Sequence, residues 1–141
     1  MVRVSYNKEL DVLYEQFIGR FTIDDLVEHH LSLGTNNNLP RKLNVLMDYR
    51  KAKFVLNIDD LGKLVQVISQ NLRKYDYVKA AILHSEPYEQ AISMIFESMV
   101  NDLTNFYMQI FTTKEAAIKW LLMYDVTSLR KKNLSKKKAE I

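Results

Sequence analysis

The sequence predicts an α/β fold: a mixed five-stranded sheet with one antiparallel N-terminal strand, four parallel strands, and four helices mainly on one face. Three observations support this prediction. Segments with the alternation of strands are separated by segments with the apolar spacing of helices. From the second strand onward, each separating segment is long enough for the helical crossover that parallel neighbours require. Polar residues recur at alternate strand positions, which indicates that helices do not cover both faces fully.

The first two strands form a predicted hairpin. Val2, Val4 and Tyr6 alternate with polar residues, and residues 12–18 alternate again. The intervening segment is short enough for a turn between antiparallel strands. Gly19 is expected to end the second strand.

The first helix and the strand after it follow from capping and hydrophobicity. Thr22 and Asp25 form a capping box ahead of a helix that ends near Gly34. The next strand, 43–48, is almost wholly apolar, as expected for an interior strand, and is predicted to turn at Asp48.

The remaining elements have their own start signals. Asn57 or Asp59 can cap the second helix, and Ser85 is the predicted N-cap of the third, after a strand at 78–84. Thr112 and Glu115 form a capping box that starts the last helix. The predicted inner stripe of the third helix consists of Ala91, Ile92, Ile95, Met99 and Leu103.

One face of the sheet is expected to be less covered by helices. The polar residues at alternate positions are assigned to that face: Glu15, Asn44, Lys79 and Gln109. The same face would carry six large apolar side chains: Leu13, Phe17, Leu46, Leu83, Tyr107 and Phe111. Because so much apolar surface requires a cover or a partner, the sequence predicts a homodimer or a docking surface there.

The composition fits one domain followed by a basic tail. A chain of 141 residues with 48% hydrophobic side chains can bury a single core, which we assign to residues 1–124. Residues 125–141 contain six Lys or Arg against two acids, so we expect a solvated basic tail. No aromatic residue is interleaved with its lysines, so nucleic-acid binding is not expected.

The composition also bears on chemistry and compartment. The absence of cysteine excludes disulfides, thiolate nucleophiles and thiolate metal sites, and it fits a reducing compartment. No segment approaches the roughly 20 apolar residues that a membrane-spanning helix needs. We therefore expect a cytoplasmic protein without a transmembrane segment.

A candidate interaction or ligand rim is predicted where the parallel strands end, because open parallel sheets usually bind ligands at that edge. Its members are Asp48, Arg50, Asp59, Asp60, His84 and Ser85. Asp48, His84 and Ser85 have the composition of a hydrolytic triad. However, Ser85 is expected to act as a helix cap, and no Gly-x-Ser-x-Gly elbow surrounds it, so no enzyme is predicted.

Cofactor and metal signals are absent from the sequence. No Gly-rich phosphate loop supports nucleotide binding. His29 and His30 are adjacent on a predicted helix, so they point about 100° apart and do not suit one metal ion. The sequence therefore predicts neither a cofactor nor a metal centre.

Four short motifs within roughly residues 2–122 can be compared with known families. They are the apolar strand ending in Asp48, the later Phe54, the helix start Ile58-Asp59-Asp60-Leu61-Gly62, and the closing Phe111-Thr112-Thr113-x-Glu115-Ala116-Ala117-x-x-Trp120-Leu121. Together with the order of elements, they resemble the STAS domain family of anti-sigma-factor antagonists. The chain is most similar to an uncharacterised bacterial branch, itself similar in fold to CRAL-TRIO lipid-binding domains.

The resemblance implies a non-catalytic regulatory or protein-interaction module. In the switch members of the family, a partner kinase phosphorylates a serine that follows an aspartate at the start of the helix after the third strand. Asp59 and Asp60 match this pair, so a carboxylate occupies the acceptor position. Its fixed charge at a helix N-terminus would imitate part of a phosphoserine. The competing interpretation is two helix-capping acids without a regulatory role.

A small apolar ligand or lipid carrier on the same fold is the alternative function. Met and aromatic side chains could line an adaptable pocket: Met94, Met99, Met108, Met123, Phe96, Phe106 and Trp120. Ordinary core packing explains the same residues. An interior cavity of several hundred Å³ would favour the carrier.

Overall fold

The chain forms a five-stranded sheet with four α-helices. The structure, a computed structural model, describes residues 1–123 and 126. The elements are β1 (Val2–Asn7), β2 (Val12–Phe21), α1 (Ile23–Gly34), β3 (Lys42–Phe54), a 3₁₀ turn (Ile58–Asp60), α2 (Leu61–Asn71), a second 3₁₀ turn (Leu72–Lys74), β4 (Tyr77–Leu83), α3 (Pro87–Val100), β5 (Phe106–Phe111) and α4 (Lys114–Met123). The predicted basic tail, 125–141, lies outside the described residues except for Val126, so its assignment stays a prediction.

The predicted sheet topology is confirmed. The strands lie in the order β1-β2-β3-β4-β5. β1 pairs antiparallel with β2, and the three other pairs are parallel. Each parallel pair is joined by a helix, and the strand ends that precede α1, α2 and α3 therefore lie at one edge of the sheet. We call this edge the strand-end edge.

The strands β2 and β3 both run further than predicted. β2 continues past Gly19 to Phe21, and β3 continues past Asp48 to Phe54, because the two extensions pair with each other. Gly19 lies opposite Ala52 within this ladder. Its φ of 101° favours glycine, and the strand continues through this residue to Phe21.

A β-bulge in β3 separates its two halves. The pairing with β2 shifts after Asp48, so that Phe17 of β2 faces both Tyr49 and Arg50 of β3 before regular pairing resumes at Lys51. A bulge leaves an extra residue on one strand and redirects the neighbouring side chains. Here it places Arg50 beside Asp48 at the point where β4 ends.

Three helices cover one face of the sheet, as the sequence predicts, and the fourth covers part of the other. The core beneath α1, α2 and α3 contains Leu13, Phe17 and Glu15, which the sequence had assigned to the less covered face. That assignment was wrong, because alternation separates two faces of a strand without showing which one is inner. The smaller core beneath α4 contains Leu46, Leu83 and Tyr107, packed against Ala117, Trp120 and Leu121.

Because α4 covers this second face, the apolar surface that predicted a homodimer is largely buried within one chain. Leu46 and Leu83 are both fully buried. Lys79, predicted to be an exposed polar residue of the same face, is buried as well. Its ammonium donates hydrogen bonds to the backbone carbonyls of Trp120 at 3.1 Å and Leu121 at 2.9 Å.

The third helix is rotated relative to the prediction. Its buried residues are Glu89, Ile92, Ser93, Phe96 and Val100. Of the predicted inner residues on the helix itself, only Ile92 is buried, whereas Ala91, Ile95 and Met99 are exposed. α3 carries two apolar stripes about one residue apart, and Ile92, Phe96 and Val100 belong to the stripe that packs on the sheet.

Two helix starts differ from the prediction, and one is confirmed. Thr22 and Asp25 form the predicted capping box. At α3, Glu86 and not Ser85 holds the N-cap position. At α4, the hydroxyl of Thr113, not that of Thr112, accepts a hydrogen bond from the backbone N–H of Ala116 at 3.3 Å.

Candidate functional site

Asp48 and Arg50 form the centre of the predicted rim. The bulge brings the backbone N–H of Arg50 to 3.1 Å from Asp48 Oδ1. The guanidinium adds hydrogen bonds of 3.0 Å from Nε to Oδ1 and 2.8 Å from Nη2 to Oδ2. The hydroxyl of Tyr14 donates to Oδ2 at 2.6 Å. The Asp48 side chain is only 2% exposed and the Arg50 side chain 39%, so the carboxylate is buried beneath a partly exposed cation.

These contacts determine the charges of the cluster. Burial raises the pKa of Asp48, but the hydrogen bonds from Arg50 and Tyr14 outweigh it and hold the pKa below its ordinary value. Asp48 in turn raises the pKa of Arg50, and burial together with Asp48 raises the pKa of Tyr14. At neutral pH the cluster is an ion pair beside a neutral phenol, and Asp48 is unsuited to act as a general base.

His84 and Ser85 lie beside this cluster with separate partners. The hydroxyl of Ser85 donates to the backbone carbonyl of Arg50 at 3.1 Å. His84 Nε2 hydrogen-bonds to Ser93 Oγ at 2.6 Å, and its ring stacks on Tyr49 with the ring centres 5.3 Å apart. Burial lowers the pKa of His84 to about 4, against the opposing influence of Asp48. His84 Nδ1 is buried without a hydrogen-bond partner among the described residues. Because Ser85 and His84 are bonded to Arg50 and Ser93, these hydrogen bonds do not join Asp48, His84 and Ser85 as a hydrolytic triad.

Asp59 and Asp60 lie in the 3₁₀ turn that precedes α2. The side chain of Asn57 caps this turn by accepting a hydrogen bond from the backbone N–H of Asp59. Asp60 holds the N-cap position of α2 without a side-chain cap hydrogen bond, and its Oδ1 lies 3.5 Å from Lys63 Nζ. Asp60 is therefore not a side-chain cap. The structure brings the other four predicted rim residues together and leaves this acidic pair separate on the same strand-end edge.

The outer surface of α3 carries an apolar stripe, and three of its residues, Ala91, Ile95 and Met99, were predicted to face inward. We define the α3 outer stripe as Tyr88, Ala91, Met94, Ile95 and Met99. Tyr88 is 58% exposed, Met94 57%, Ile95 37% and Met99 40%. The residues repeat at intervals of three and four, so they share one side of the helix. Helical spacing revealed this stripe in the sequence, but spacing does not show which of two adjacent stripes faces the sheet.

A buried acid under α1 was missed as a candidate site residue. Glu15 is fully buried in the middle of β2. Its Oε2 hydrogen-bonds to His29 Nε2 of α1, while its Oε1 has no hydrogen-bond partner in the described part of the chain. A glutamate between Leu13 and Phe17 on one side of an apolar strand was the available signal. Because all three residues were assigned to the less covered face, Glu15 was not recognised as a core residue.

The apolar pocket predicted from Met and aromatic residues is not assembled. Met94, Met99 and Met123 are exposed. Trp120 of α4 packs on the opposite side of the sheet from Phe96. Two cavities beneath α1, α2 and α3 have volumes of about 60 and about 40 Å³. Both are far below the several hundred Å³ expected of a lipid carrier.

Residues 1–123 and 126 contain neither a metal-binding cluster nor a membrane-spanning helix. In that part of the chain, no three His, Cys, Asp or Glu side chains are grouped so that they could hold a metal ion. No helix among the same residues combines the length and apolar character needed to cross a membrane.

Comparison with solved structures identifies the fold. The chain is similar to an uncharacterized protein of the DUF3478 family with a SpoIIAA-like fold from Shewanella loihica PV-4, with 13% identity, coverage of 86% of this chain and 92% of that chain, and a TM-score of 0.57. It is also similar to the unphosphorylated anti-sigma factor antagonist SpoIIAA, with 9% identity, coverage of 88% and 100%, and a TM-score of 0.50. No protein-family model and no curated protein matches the sequence. The predicted STAS-like fold is therefore confirmed.

Proposed function

We propose that this protein, which has the fold of an anti-sigma factor antagonist, is a non-catalytic protein-interaction module of the STAS type. It binds a partner protein through the α3 outer stripe and the adjoining part of the strand-end edge. The expected place of action is the cytoplasm. The observation that carries the proposal is the exposed apolar stripe, because Tyr88, Met94, Ile95 and Met99 together leave a large hydrophobic surface in water.

The composition of the stripe suits protein docking. Methionine side chains are flexible and polarizable, so they adapt to different apolar partners. Tyrosine and methionine are enriched in protein interfaces compared with the rest of a protein surface. Ile95 and Met99 lie one turn apart, which favours an anchor contact with a helix or a loop of the partner.

The strand-end edge extends the surface beyond α3. The side chain of Glu89 accepts a hydrogen bond from the backbone N–H of Phe54 at 3.3 Å, which ties the end of β3 to the first turn of α3. The next residue, Val55, is 44% exposed, and Ile58 is 48% exposed. Val55 therefore places apolar surface near the first turn of α3, and Ile58 exposes more in the turn that precedes α2.

Charge at this edge indicates the chemistry of the partner. Asp59 and Glu86 are exposed, and Asp60 is partly exposed beside Lys63. The end of β3 at the same edge carries the exposed Lys51 and Lys53, so the edge is mixed in charge. A partner whose apolar anchor is flanked by Lys or Arg would complement the acidic residues of this edge and would bind more weakly at high salt. In this proposal, Asp59 and Asp60 provide a permanent negative charge at the position that the resemblance to the STAS family assigns to a phosphorylated serine.

The test is a comparison of two lysine substitutions. Ile95→Lys places a cation in the α3 outer stripe, whereas Leu122→Lys places one on exposed α4, on the other side of the sheet. Affinity enrichment from the native cells identifies proteins that bind the wild type and Leu122→Lys but are lost with Ile95→Lys. Each such protein is then purified, and its binding to all three chains is measured by calorimetry at low and high salt.

The proposal requires at least tenfold weaker binding by Ile95→Lys, equal binding by Leu122→Lys, and a loss of affinity as salt increases. Equal binding by both variants would overturn it. Sedimentation of the purified chain tests the homodimer predicted from the sequence. A dimer that Ile95→Lys dissociates would identify the partner as a second copy, whereas one that survives this substitution would place the contact elsewhere.

A further inference from the structure

The side of the sheet that α4 covers in part also has an open region rich in cations. α4 packs mainly on β3, β4 and β5, whereas the side chains of β1 and of the end of β2 are exposed. We define the basic sheet face as Arg3, Arg20, Lys51 and Lys53, all of which are exposed. The partly exposed Arg50 adjoins this face, because it precedes Lys51 on β3.

The alternation of side chains along each strand places the four cations on the same side. Lys51 and Lys53 alternate with two residues of the core beneath α1, α2 and α3, so they point away from that core. Arg20 precedes another residue of the same core. Arg3 pairs with Gln16 of β2, which lies between core residues in the same way. The cations therefore come from three neighbouring strands and share one surface.

The positive charge of this surface is not neutralised within the described residues. None of the four cations forms a salt bridge there. Arg20 lies directly opposite Lys53 in the pairing of β2 with β3, and like charges at neighbouring positions of a sheet repel each other. On this side of the sheet, Asp48 is buried and bound to Arg50, and Glu115 belongs to α4. An anionic partner would relieve the repulsion among these cations.

The opposite side of the sheet differs, because the charges on its helices are mixed. α1 exposes Asp24, Asp25 and Glu28, whereas α2 and the 3₁₀ turn after it expose Lys63, Arg73 and Lys74. A broad negative surface would therefore attract the basic sheet face more strongly than the helices. Such an attraction would orient the molecule as well as bind it.

The side chains of the basic sheet face do not suit nucleic acid. Proteins that bind single strands stack the bases on aromatic side chains, and this face has none. The ring of Tyr14 lies nearby, but the Lys114 ammonium covers it at 4.7 Å from the ring centre. Duplex DNA is read by a helix or a ribbon that enters a groove, whereas these cations project from the face of a sheet.

An acidic protein partner is also less suitable. Protein interfaces are centred on buried apolar or aromatic anchors, and lysine is depleted from them. The apolar side chain among these cations is Ile18, which is already half-buried. A membrane surface requires no such anchor, because clusters of Lys and Arg alone are attracted to anionic lipids.

We propose that the basic sheet face binds the surface of a membrane that contains anionic phospholipids, with cations from β1, β2 and β3 facing the lipid headgroups. Cations spread over three strands match a surface whose negative charges are spread in two dimensions. Each Lys or Arg held near such a surface strengthens binding roughly fivefold. The α3 outer stripe lies on the other side of the sheet and remains available to a protein partner.

The experiment measures binding of the full chain to two kinds of lipid vesicle. One consists of phosphatidylcholine alone, and in the other about a third of the lipid is phosphatidylglycerol. Sedimentation of the vesicles gives the bound fraction as a function of lipid concentration. Expected are binding to the anionic vesicles, no binding to the neutral ones, and at least a tenfold loss of affinity between about 0.1 M and about 1 M salt.

Two double variants with the same loss of charge locate the contact. Arg20→Gln/Lys53→Gln should bind the anionic vesicles roughly 25-fold more weakly. The control, Lys42→Gln/Arg73→Gln, removes one Lys and one Arg near the other end of the sheet. Lys42 and Lys53 lie roughly 30 Å apart along β3, well beyond a Debye length of about 10 Å. The control should therefore stay within about threefold of the wild type. Both variants keep residues 125–141, so the basic residues of that segment contribute equally.

Either of two vesicle results would overturn the proposal. One is the absence of binding to the anionic vesicles. The other is equal binding by the two double variants, since attraction would then depend on total charge and not on this face. If Arg20→Gln/Lys53→Gln does not fold, Lys51→Gln alone should bind roughly fivefold more weakly, and unchanged binding by that variant would contradict the proposal as well.

Fluorescence anisotropy tests the competing partners with labelled single-stranded DNA, duplex DNA and poly-glutamate. The proposal is wrong if Arg20→Gln/Lys53→Gln impairs binding of one of these probes but leaves vesicle binding intact. Arg20 and Lys53 lie outside the α3 outer stripe, so vesicle binding and the partner binding proposed above succeed or fail independently.

Discussion

The buried ammonium of Lys79 lies 4.9 Å from the centre of the Trp120 indole ring and donates a 3.1 Å hydrogen bond to the backbone carbonyl of the same residue. One side chain of β4 thus binds both the ring and the backbone of α4. Charge-assisted hydrogen bonds and cation–π contacts are strongest when water is excluded, as it is here. Lys79 therefore stabilises the packing of α4, the only helix described on this face, against the sheet.

We expect Lys79→Met to loosen α4. Methionine fills much of the space but leaves the carbonyls of Trp120 and Leu121 without the ammonium donor, which should cost about 1–3 kcal/mol of unfolding free energy. Urea denaturation measures the loss, and hydrogen exchange should show faster deuterium uptake in α4 than in α1. Lys119→Met, an exposed change on α4, is the control and should remain within about 0.5 kcal/mol of the wild type. Equal stability of both variants would contradict the role of Lys79.

The rotation of α3 can be tested at adjacent residues. Phe96 is buried in the larger core, whereas Ile95 is 37% exposed. Phe96→Ala should lower the unfolding free energy by about 3–5 kcal/mol, because it leaves a cavity. Ile95→Ala should cost less than about 1 kcal/mol, because little buried surface is lost. Urea denaturation measures the unfolding free energy of the two variants. A larger decrease for Ile95→Ala than for Phe96→Ala would support the orientation of α3 predicted from the sequence.

The glycines of α1 and α2 should respond to alanine in opposite ways. A Cβ at Gly34 would collide with Asn71 Oδ1 and displace the amide that bonds to the His30 carbonyl. Gly34→Ala should therefore lose about 1 kcal/mol of unfolding free energy. A Cβ at Gly62 meets nothing within 4 Å. Gly62→Ala should gain about 0.5 kcal/mol, because alanine is the better helix former. Thermal and urea denaturation should agree on the two signs; equal signs would contradict the close approach of α1 and α2.

Asp48→Asn should weaken the protein mainly at neutral pH. The pKa of Asp48 is lower in the folded state than its ordinary value, so its stabilising contribution is present above about pH 4 and is lost as the pH falls through the lowered value. Removing the charge should cost on the order of 2 kcal/mol at pH 7. The difference from the wild type should shrink under acid conditions. Urea denaturation from pH 7 to pH 2.5 measures it, with exposed Asp59→Asn as the control. A difference that does not change with pH would contradict the role of the charge.

The order and direction of the strands could be predicted because they depend on local signals. Helical crossovers force parallel pairing, and capping residues such as Thr22 mark where helices begin. The extension of β2 past Gly19 could not be predicted in this way. It depends on pairing with a distant basic segment of β3 that has the composition of a loop. This segment is a strand because its backbone pairs with β2, and its own sequence does not indicate that pairing.

The candidate site could be predicted only in part, for a related reason. Asp48 and Arg50 were found because they lie near a predicted strand end. The bulge that brings them together could not be predicted, because it depends on the pairing register between β2 and β3. Glu15 and Lys79 have the same appearance in the sequence, each a charged residue at an alternate position of an apolar strand. One is bonded to His29 of α1 and the other to backbone carbonyls of α4, and those partners are known only from the assembled helices.

The bulge in β3 also affects how this chain should be aligned with its structural relatives. Before the bulge, odd-numbered side chains such as Met47 point towards α1, α2 and α3. After it, even-numbered ones such as Ala52 and Phe54 do so. An ungapped alignment to a relative with a regular third strand would match inward residues to outward ones on one side of Arg50. A one-residue gap there restores the correspondence, and it shifts the structurally equivalent position of every residue in the following turn, Asp59 and Asp60 included.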